Sequence, residues 1–334
     1  MNCLLCNQRE ANATGSHIIS HLVLEDMSNG GSVRGRDKEQ NFRITGTGSQ
    51  AYFGRQVLPE TIEETMGREL DETDATQNFY VADNIFCTVC EKRLGVFESL
   101  YKQKVVPTLA SGNTLTEHQQ ALAYGFWLST LYRCAITGFD GYVMAAALQD
   151  ISGLLVNQLL DDRPAQIEQN CLRVKQLAQH LGPFNLFVGY LPVEADNSNN
   201  LVLLPQAGEN SRLVAINHYV LLFDYALPQV PTLEQYVGVG FGIQQPGLSI
   251  KFFSLAERTT MLRYFQNIAA GRFWQNVAQI FLQAYWQRLR RLPTSAEWRT
   301  FQTALTEGDE LPTVKYSEQR VQRLLEEHIK RALA

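Results

Sequence analysis

Two Cys-x-x-Cys pairs, Cys3/Cys6 and Cys87/Cys90, constrain this chain more than any other feature. Two thiolates three residues apart on a tight turn can converge on one ion, and two such turns complete the tetrahedral sulfur cage that Zn²⁺ prefers in closed structural sites. The spacing predicts one structural zinc on Cys3, Cys6, Cys87 and Cys90, which joins the start of the chain to a segment far along it. A disulfide framework is disfavoured, because such frameworks belong to small secreted chains and this one has 334 residues with six cysteines. A redox pair is disfavoured too, since neither motif sits at the strand-to-helix step of a βαβ unit. Cys134 and Cys171 stand alone inside helical patterns and read as core residues.

The length suggests two domains. No apolar run approaches the roughly 18 residues that cross a bilayer, and the N-terminus lacks a signal-peptide pattern. A soluble, cytoplasmic protein without membrane contact is expected. The net charge of −5 excludes a polycation that coats nucleic acid, but the charge is uneven. Residues 250–334 carry 13 Lys+Arg against 8 Asp+Glu, whereas the preceding segments are acidic. Arg288, Arg290, Arg291, Arg320 and Arg323 fall in that basic stretch with Trp286 and Trp298 among them, a composition that can face phosphate. The plainer reading is a set of solvated helix faces.

The pattern along the chain predicts an α+β fold. Residues 1–110 form a zinc module interrupted by a polar, Gly/Thr-rich insertion at about 28–78, and 111–334 form a mixed regulatory or binding domain. The insertion holds strand-like stretches at Asn41–Thr45 and Ala51–Leu58 and an acidic helix near Glu60–Leu70. A helix bearing Leu94, Phe97 and Leu100 follows the second cysteine pair. Thr114-x-x-Glu117 reads as a capping box opening a long helix that stops near Gly138, with further helices at about 142–160 and 164–181 and a stop at Gly182-Pro183. Runs such as "FNLFVGYL", "RLVAINHYVLLFDYAL", "YVGVGFGI" and "LSIKFF" predict a mainly antiparallel sheet between 184 and 253. Ser254-x-x-Glu257, Thr294-x-x-Glu297 and an N-cap at Ser317 predict a helical end. The "GVGFG" at 238–242 lacks the helix and acidic partner of a dinucleotide site and reads as a Gly-rich strand.

The order Cys3-x2-Cys6, Ser16-His17-Ile18-Ile19, then Asp83-Asn84-Ile85-Phe86-Cys87-x2-Cys90-Glu91 resembles the HNH endonuclease superfamily. The resemblance covers about residues 1–105. It implies a ββα-metal, treble-clef module in which a histidine takes a proton from water while a divalent cation, Mg²⁺ or Mn²⁺, holds the scissile phosphate of DNA or RNA. On that resemblance His17 is the general base, Glu91 and Asp83 are cation ligands, and Asn84 orients the loop, with Glu98 two turns further along the helix as reinforcement. Ser16 stands where the family commonly has Asp or Glu, and hydroxyl is a weaker ligand for hard cations than carboxylate. His21, four residues after His17, reads as a packing or capping residue, and the other four histidines carry no assigned role.

A looser likeness adds to this. Bacterial proteins with a "SHI" zinc module often continue with a helix bearing an apolar-Ser-x-x-x-Arg pattern, and "AYGFWLSTLYRC" at 123–134 is similar. Arg133 is expected to pair with a carboxylate of the zinc module. Proteins of this build resemble effectors of prokaryotic anti-phage defence, which implies a protein partner from the same system and is compatible with an oligomer. The competing expectation is a catalytically degenerate zinc scaffold that binds nucleic acid or a protein partner without cutting.

Overall fold

The computed structural model describes residues 1–13, 15–28, 38–44, 49–66, 78–139, 142–181, 184–191, 202–203, 212–307 and 316–333. The fold is mixed α+β, and its contacts divide the chain into two compact units. The first comprises Met1–Met27 with Phe79–Phe265, and the second Ser28–Asn78 with Gln266–Ala334. This grouping differs from the 1–110 and 111–334 division read from the sequence. Among the described residues no helix is long and apolar enough to cross a membrane.

In the first unit, strand β1 (Ser16–His17) and helix α1 (His21–Ser28) follow the first cysteine pair. After the segment assigned to the other unit, strand β4 (Val81–Ala82) pairs antiparallel with β1, in the register Ser16↔Ala82 and His17↔Val81. Helix α3 (Thr88–Lys104) comes next and buries Cys90, Leu94, Phe97, Leu100 and Tyr101. Positions three and four apart recur among these residues, as expected of a helix with one face in a core. A short helix, α4 (Val106–Ala110), leads into α5 (Glu117–Thr137), α6 (Ala146–Leu159) and α7 (Pro164–Leu181).

Helix α5 is the axis of this unit, and every residue from Ala121 to Cys134 is buried. Its N-terminus departs from expectation, because the capping box is Thr116-x-x-Gln119 and not Thr114-x-x-Glu117. Gln119 wins for a physical reason. Its Oε1 accepts from the Thr116 amide at 2.9 Å while its Nε2 donates to the Lys104 carbonyl at 2.7 Å and to Thr108 Oγ1 at 2.9 Å, so one amide caps α5 and ties it to the preceding segment. Gly138 ends the helix in the left-handed conformation, φ 60°. Gly125 sits in close packing, where a Cβ would lie 3.1 Å from Leu159 and Phe97 side-chain atoms and make them give way. The Gly182-Pro183 stop lies outside the described residues.

A five-stranded sheet packs with these helices in one core. Its order is β6 (Val202–Leu203), β7 (Arg212–Ile216), β8 (Tyr219–Phe223), β5 (Leu186–Tyr190), β9 (Leu248–Phe252). The pairs are antiparallel except β5 with β9, which are parallel. The run at 212–223 folds as a hairpin about Asn217 and His218, with Asn217 at φ 52°, the left-handed geometry that tight hairpin turns require. The run at 236–243 is not a strand. It closes helix α8 (Val230–Val237) and continues as irregular chain, because Gly238, Gly242 and Gly247 adopt φ of 75°, 67° and 105°, which extended structure excludes. Glu234 Oε1 accepts from the amides of Phe241 and Gly242 and holds that turn.

Helix α9 (Leu255–Leu289) opens on the expected Ser254/Glu257 capping box and runs through the boundary of the two units. In the second unit, Phe273, Val277, Phe281 and Tyr285 of α9 meet Phe301 and Leu305 of α10 (Ser295–Thr306) and Val321, Leu325 and Ile329 of α11 (Glu318–Leu333). The four-residue spacing on all three helices makes one apolar seam. The Thr294/Glu297 capping box is present, and Ser317 Oγ accepts from the Arg320 amide at 3.3 Å. The remainder of this unit holds a hairpin of β2 (Gln40–Ile44) and β3 (Ser49–Phe53) and helix α2 (Pro59–Met66), with Phe53 and Ile62 buried. Residues 29–37, 45–48 and 67–77 of the insertion, including the end of the helix expected near Glu60–Leu70, lie outside the described residues.

Candidate metal centre and adjoining polar cluster

Backbone hydrogen bonds assemble both cysteine turns. In the first, Cys3 N donates to Arg9 O at 2.8 Å and Asn7 N to Cys3 O at 2.9 Å, while Asn7 takes the left-handed conformation at φ 50° directly after Cys6. In the second, Cys87 is the N-cap of α3 and Cys90 lies in its first turn. Leu4 N bonds Ile85 O and Asn12 N bonds Phe86 O, each at 3.0 Å, so the two turns are stitched together. Tyr132 Oη on α5 donates to Leu4 O at 2.9 Å and seats the first turn on the helical core.

All four sulfur atoms lie within 4.8 Å of one another, and Cys6 Sγ is 3.8 Å from Cys87 Sγ. Zn–S bonds of about 2.3 Å give a tetrahedral S···S edge of about 3.8 Å, so the donor set fits a zinc ion. Electrostatics argue the same way. Burial works against ionising Cys6, but the amides of Gln8 and Arg9 and the thiols of Cys3 and Cys87 outweigh it and draw its pKa down to about 6. Burial raises Cys3, and burial followed by the charge on Cys3 raises Cys90. Four thiolates in this space need a cation to share, which a divalent metal supplies. Among the described residues, no second group of three or more His, Cys, Asp or Glu side chains gathers at metal-binding distance. Cys134 and Cys171 are buried and separate, as expected of core residues.

A polar cluster adjoins this centre on β1 and α3. Ser16 is fully buried and its side chain hydrogen-bonds Glu91, which follows Cys90 in the first turn of α3. Burial raises the Glu91 pKa, against the Ser16 hydrogen bond and the Arg133 charge, with Glu98 adding to the rise. Arg133, only 2% exposed, reaches across from α5. Its Nη1 donates to the His17 carbonyl at 2.8 Å and lies 2.9 Å from Glu98 Oε1. One guanidinium thus binds β1, α3 and α5, and Glu91 Oε1 and Arg133 Nη2 are buried without a hydrogen-bond partner among the described residues. The His17 ring is half-buried and meets His21 edge-on, with centroids 6.3 Å apart. A neighbouring ion pair, Lys102 to Glu25 at 3.0 Å, joins α3 to α1.

The other expected site residues divide. Asp83 Oδ1 accepts from the Gly15 amide at 2.9 Å and anchors the turn before β1. Asn84, exposed at φ 60°, donates its amide to Asn12 O at 3.0 Å and turns the chain between β4 and α3. In the second unit, Arg288, Arg290 and Arg323 are exposed. Arg291 is clamped on Glu297 by two bonds of 2.9 and 2.6 Å and overlies the Tyr285 ring. Arg320 is buried, and its Nη2 donates to the carbonyls of Ala304 and Glu307, closing the C-terminus of α10. That guanidinium is therefore turned into the protein and not toward a phosphate surface. Sequence reasoning treats Ser16 only as a lost ligand and misses it as the partner of Glu91. The signal is a small hydroxyl residue beside the histidine on a strand whose neighbouring helix begins with an acid.

Comparison with known protein families, with curated proteins and with solved structures finds no match for this chain.

Proposed function

We propose that this protein is a metal-dependent endonuclease of the HNH type, hydrolysing phosphodiester bonds of DNA or RNA with His17 as general base. One observation carries the reading. The order cysteine turn, antiparallel strand pair β1/β4, and helix α3 bearing the second cysteine turn sets His17 on the strand next to Ser16, whose side chain bonds Glu91 in the first turn of α3. The half-buried imidazole on β1 is accessible enough to take a proton from water, and its backbone is fixed by Arg133. A divalent cation, when bound, neutralises charge on the phosphate. Glu91 Oε1, buried and without a hydrogen-bond partner among the described residues, is the oxygen that would hold it, with Asp83 as a second donor once released from Gly15. Asn84, through its left-handed turn, orients the loop between β4 and α3.

A second reading has its own support. Burial raises the Glu91 pKa and so favours its neutral form on balance, and Ser16 gives that carboxyl a hydrogen-bond partner, an environment that needs no cation. On that reading the zinc unit is a scaffold that binds nucleic acid or a protein partner without cleavage.

Incubating plasmid, single-stranded DNA and RNA with the protein and Mg²⁺ or Mn²⁺, wild type beside His17→Ala, tests both. Cleavage lost in His17→Ala supports the nuclease. Cleavage that persists in the variant overturns the assignment of His17, and binding without cleavage by the wild type supports the scaffold.

A further inference from the structure

Helix α9 presents an unusual outward face in the second unit. Leu282 and Trp286, one turn apart, are 43% and 55% exposed, and Gln275, Gln279 and Gln283 are exposed at four-residue spacings along the same face. No charged residue occurs between Phe273 and Gln287. A solvated helix face ordinarily carries charge, and this one carries amides and an indole.

The stripe ends at Arg290, just beyond the last residue of α9. Arg290 adopts φ 54°, the left-handed conformation that Gly or Asn ordinarily takes after a helix. Its side chain is exposed and makes no ion pair among the described residues. A strained backbone kept for an exposed, unengaged cation points to a use for that cation. The sequence about the stripe is basic, since Gln266–Thr306 contains five Arg against one Glu, itself clamped by Arg291, and Gln266–Ala334 as a whole keeps an excess of ten Lys+Arg over seven Asp+Glu, a balance that favours an anion.

We propose that Trp286, Arg290 and the glutamine stripe form a contact surface for single-stranded nucleic acid. The indole stacks on a base, which a single strand exposes and a duplex hides. Arg290 meets a backbone phosphate, and the Gln amides hydrogen-bond bases or sugars. From Gln275 to Arg290 the face is about 22 Å long, suited to a short segment of strand. A second copy of the chain fits less well, because pairing two such stripes in either direction brings no opposite charges together. The inference takes from the proposed function only the class of ligand.

The test uses the full chain carrying His17→Ala, with a fluorescein-labelled 20-nucleotide oligothymidine titrated by anisotropy between 50 and 200 mM NaCl. Trp286→Ala is expected to weaken binding by about 5- to 100-fold without changing the salt slope. Arg290→Gly is expected to weaken it while reducing the slope of log K against log salt by about 0.7, and to raise the melting temperature because Gly relieves the left-handed backbone. A duplex of the same length should bind more weakly and ignore Trp286→Ala. Either variant binding like its parent, or tighter binding to the duplex, overturns the proposal. So does a dimer that Trp286→Ala dissociates, which would assign the face to a second copy. If the wild type cleaves nothing yet these shifts are seen, the nuclease reading falls and the single-strand surface stands. His17-dependent cleavage without the shifts has the opposite meaning, upholding the nuclease and overturning the single-strand surface.

Discussion

Replacing Arg133 by Met removes the group on which β1, α3 and α5 converge. Its side chain is 3% exposed and that of Glu98 is 21% exposed, so the pair is largely withdrawn from water. Removing the cation strands the Glu98 carboxylate in a poorly solvated place and takes a donor from the His17 carbonyl, 2.8 Å away. Breaking one side of a buried ion pair costs about 3–5 kcal/mol. Because Glu98 retains some contact with water, the lower end applies and the expected loss is about 3 kcal/mol. The double variant Arg133→Met/Glu98→Leu removes both charges and should recover about half of that loss or more, since apolar replacement of a buried pair is often neutral. Urea titration of the Co²⁺-substituted protein, followed by thiolate-to-metal absorption, reports the unfolding of this unit alone. A loss below about 1 kcal/mol for Arg133→Met, or a double variant no more stable than the single one, would refute the argument that a desolvated ion pair holds the cluster.

Other expectations concern separate parts of the molecule. Arg291 first, then the Thr294 amide and hydroxyl, hold the Glu297 carboxyl down at about 2, below its ordinary 4.5. A depressed carboxyl stabilises the fold above its unfolded pKa, so this contribution is intact above about pH 4.5 and fades as pH falls toward 2. Glu297→Gln should flatten the pH dependence of α10 unfolding in that window, read from amide exchange of Ser295–Thr306 at pH 3 and pH 6. Gly125→Val should destabilise by about 1–3 kcal/mol in thermal unfolding, because its side chain would press on Leu159 and Phe97. Tyr132→Phe removes the bond to the Leu4 carbonyl and should cost about 1 kcal/mol, with faster loss of metal to a chelator.

What is readable from the sequence follows from chemistry that acts over a few residues. The two cysteine turns are legible because a tetrahedral thiolate site demands that spacing, and the Gly138 stop and the capping boxes at Ser254 and Thr294 are legible because free helix amides need a nearby oxygen. The rest turns on partners far along the chain. Gln119 takes the cap from Thr114 and Glu117 through bonds to Lys104 and Thr108. Two left-handed glycines, Gly238 and Gly242, break the apparent strand at 236–243, although its composition is that of a strand. The parallel pairing of β5 with β9 joins residues 186–190 to 248–252 and leaves no local trace. Arginine side chains are least legible of all. Arg288, Arg290, Arg291 and Arg320 look alike as letters, yet Arg291 and Arg320 are bound to Glu297 and to the end of α10 while Arg290 stands exposed. Their availability depends on acids and carbonyls up to 16 residues away.

The central structural claim is the four-cysteine metal centre, on which the positions of β1, α3 and the adjoining polar cluster depend. X-ray absorption at the zinc edge, with metal analysis of the same sample, tests it most directly. The account predicts one zinc per chain, bound by four sulfurs at about 2.3 Å, and loss of that zinc in Cys90→Ser. A protein that folds without zinc, or a zinc shell containing nitrogen or oxygen, would contradict it.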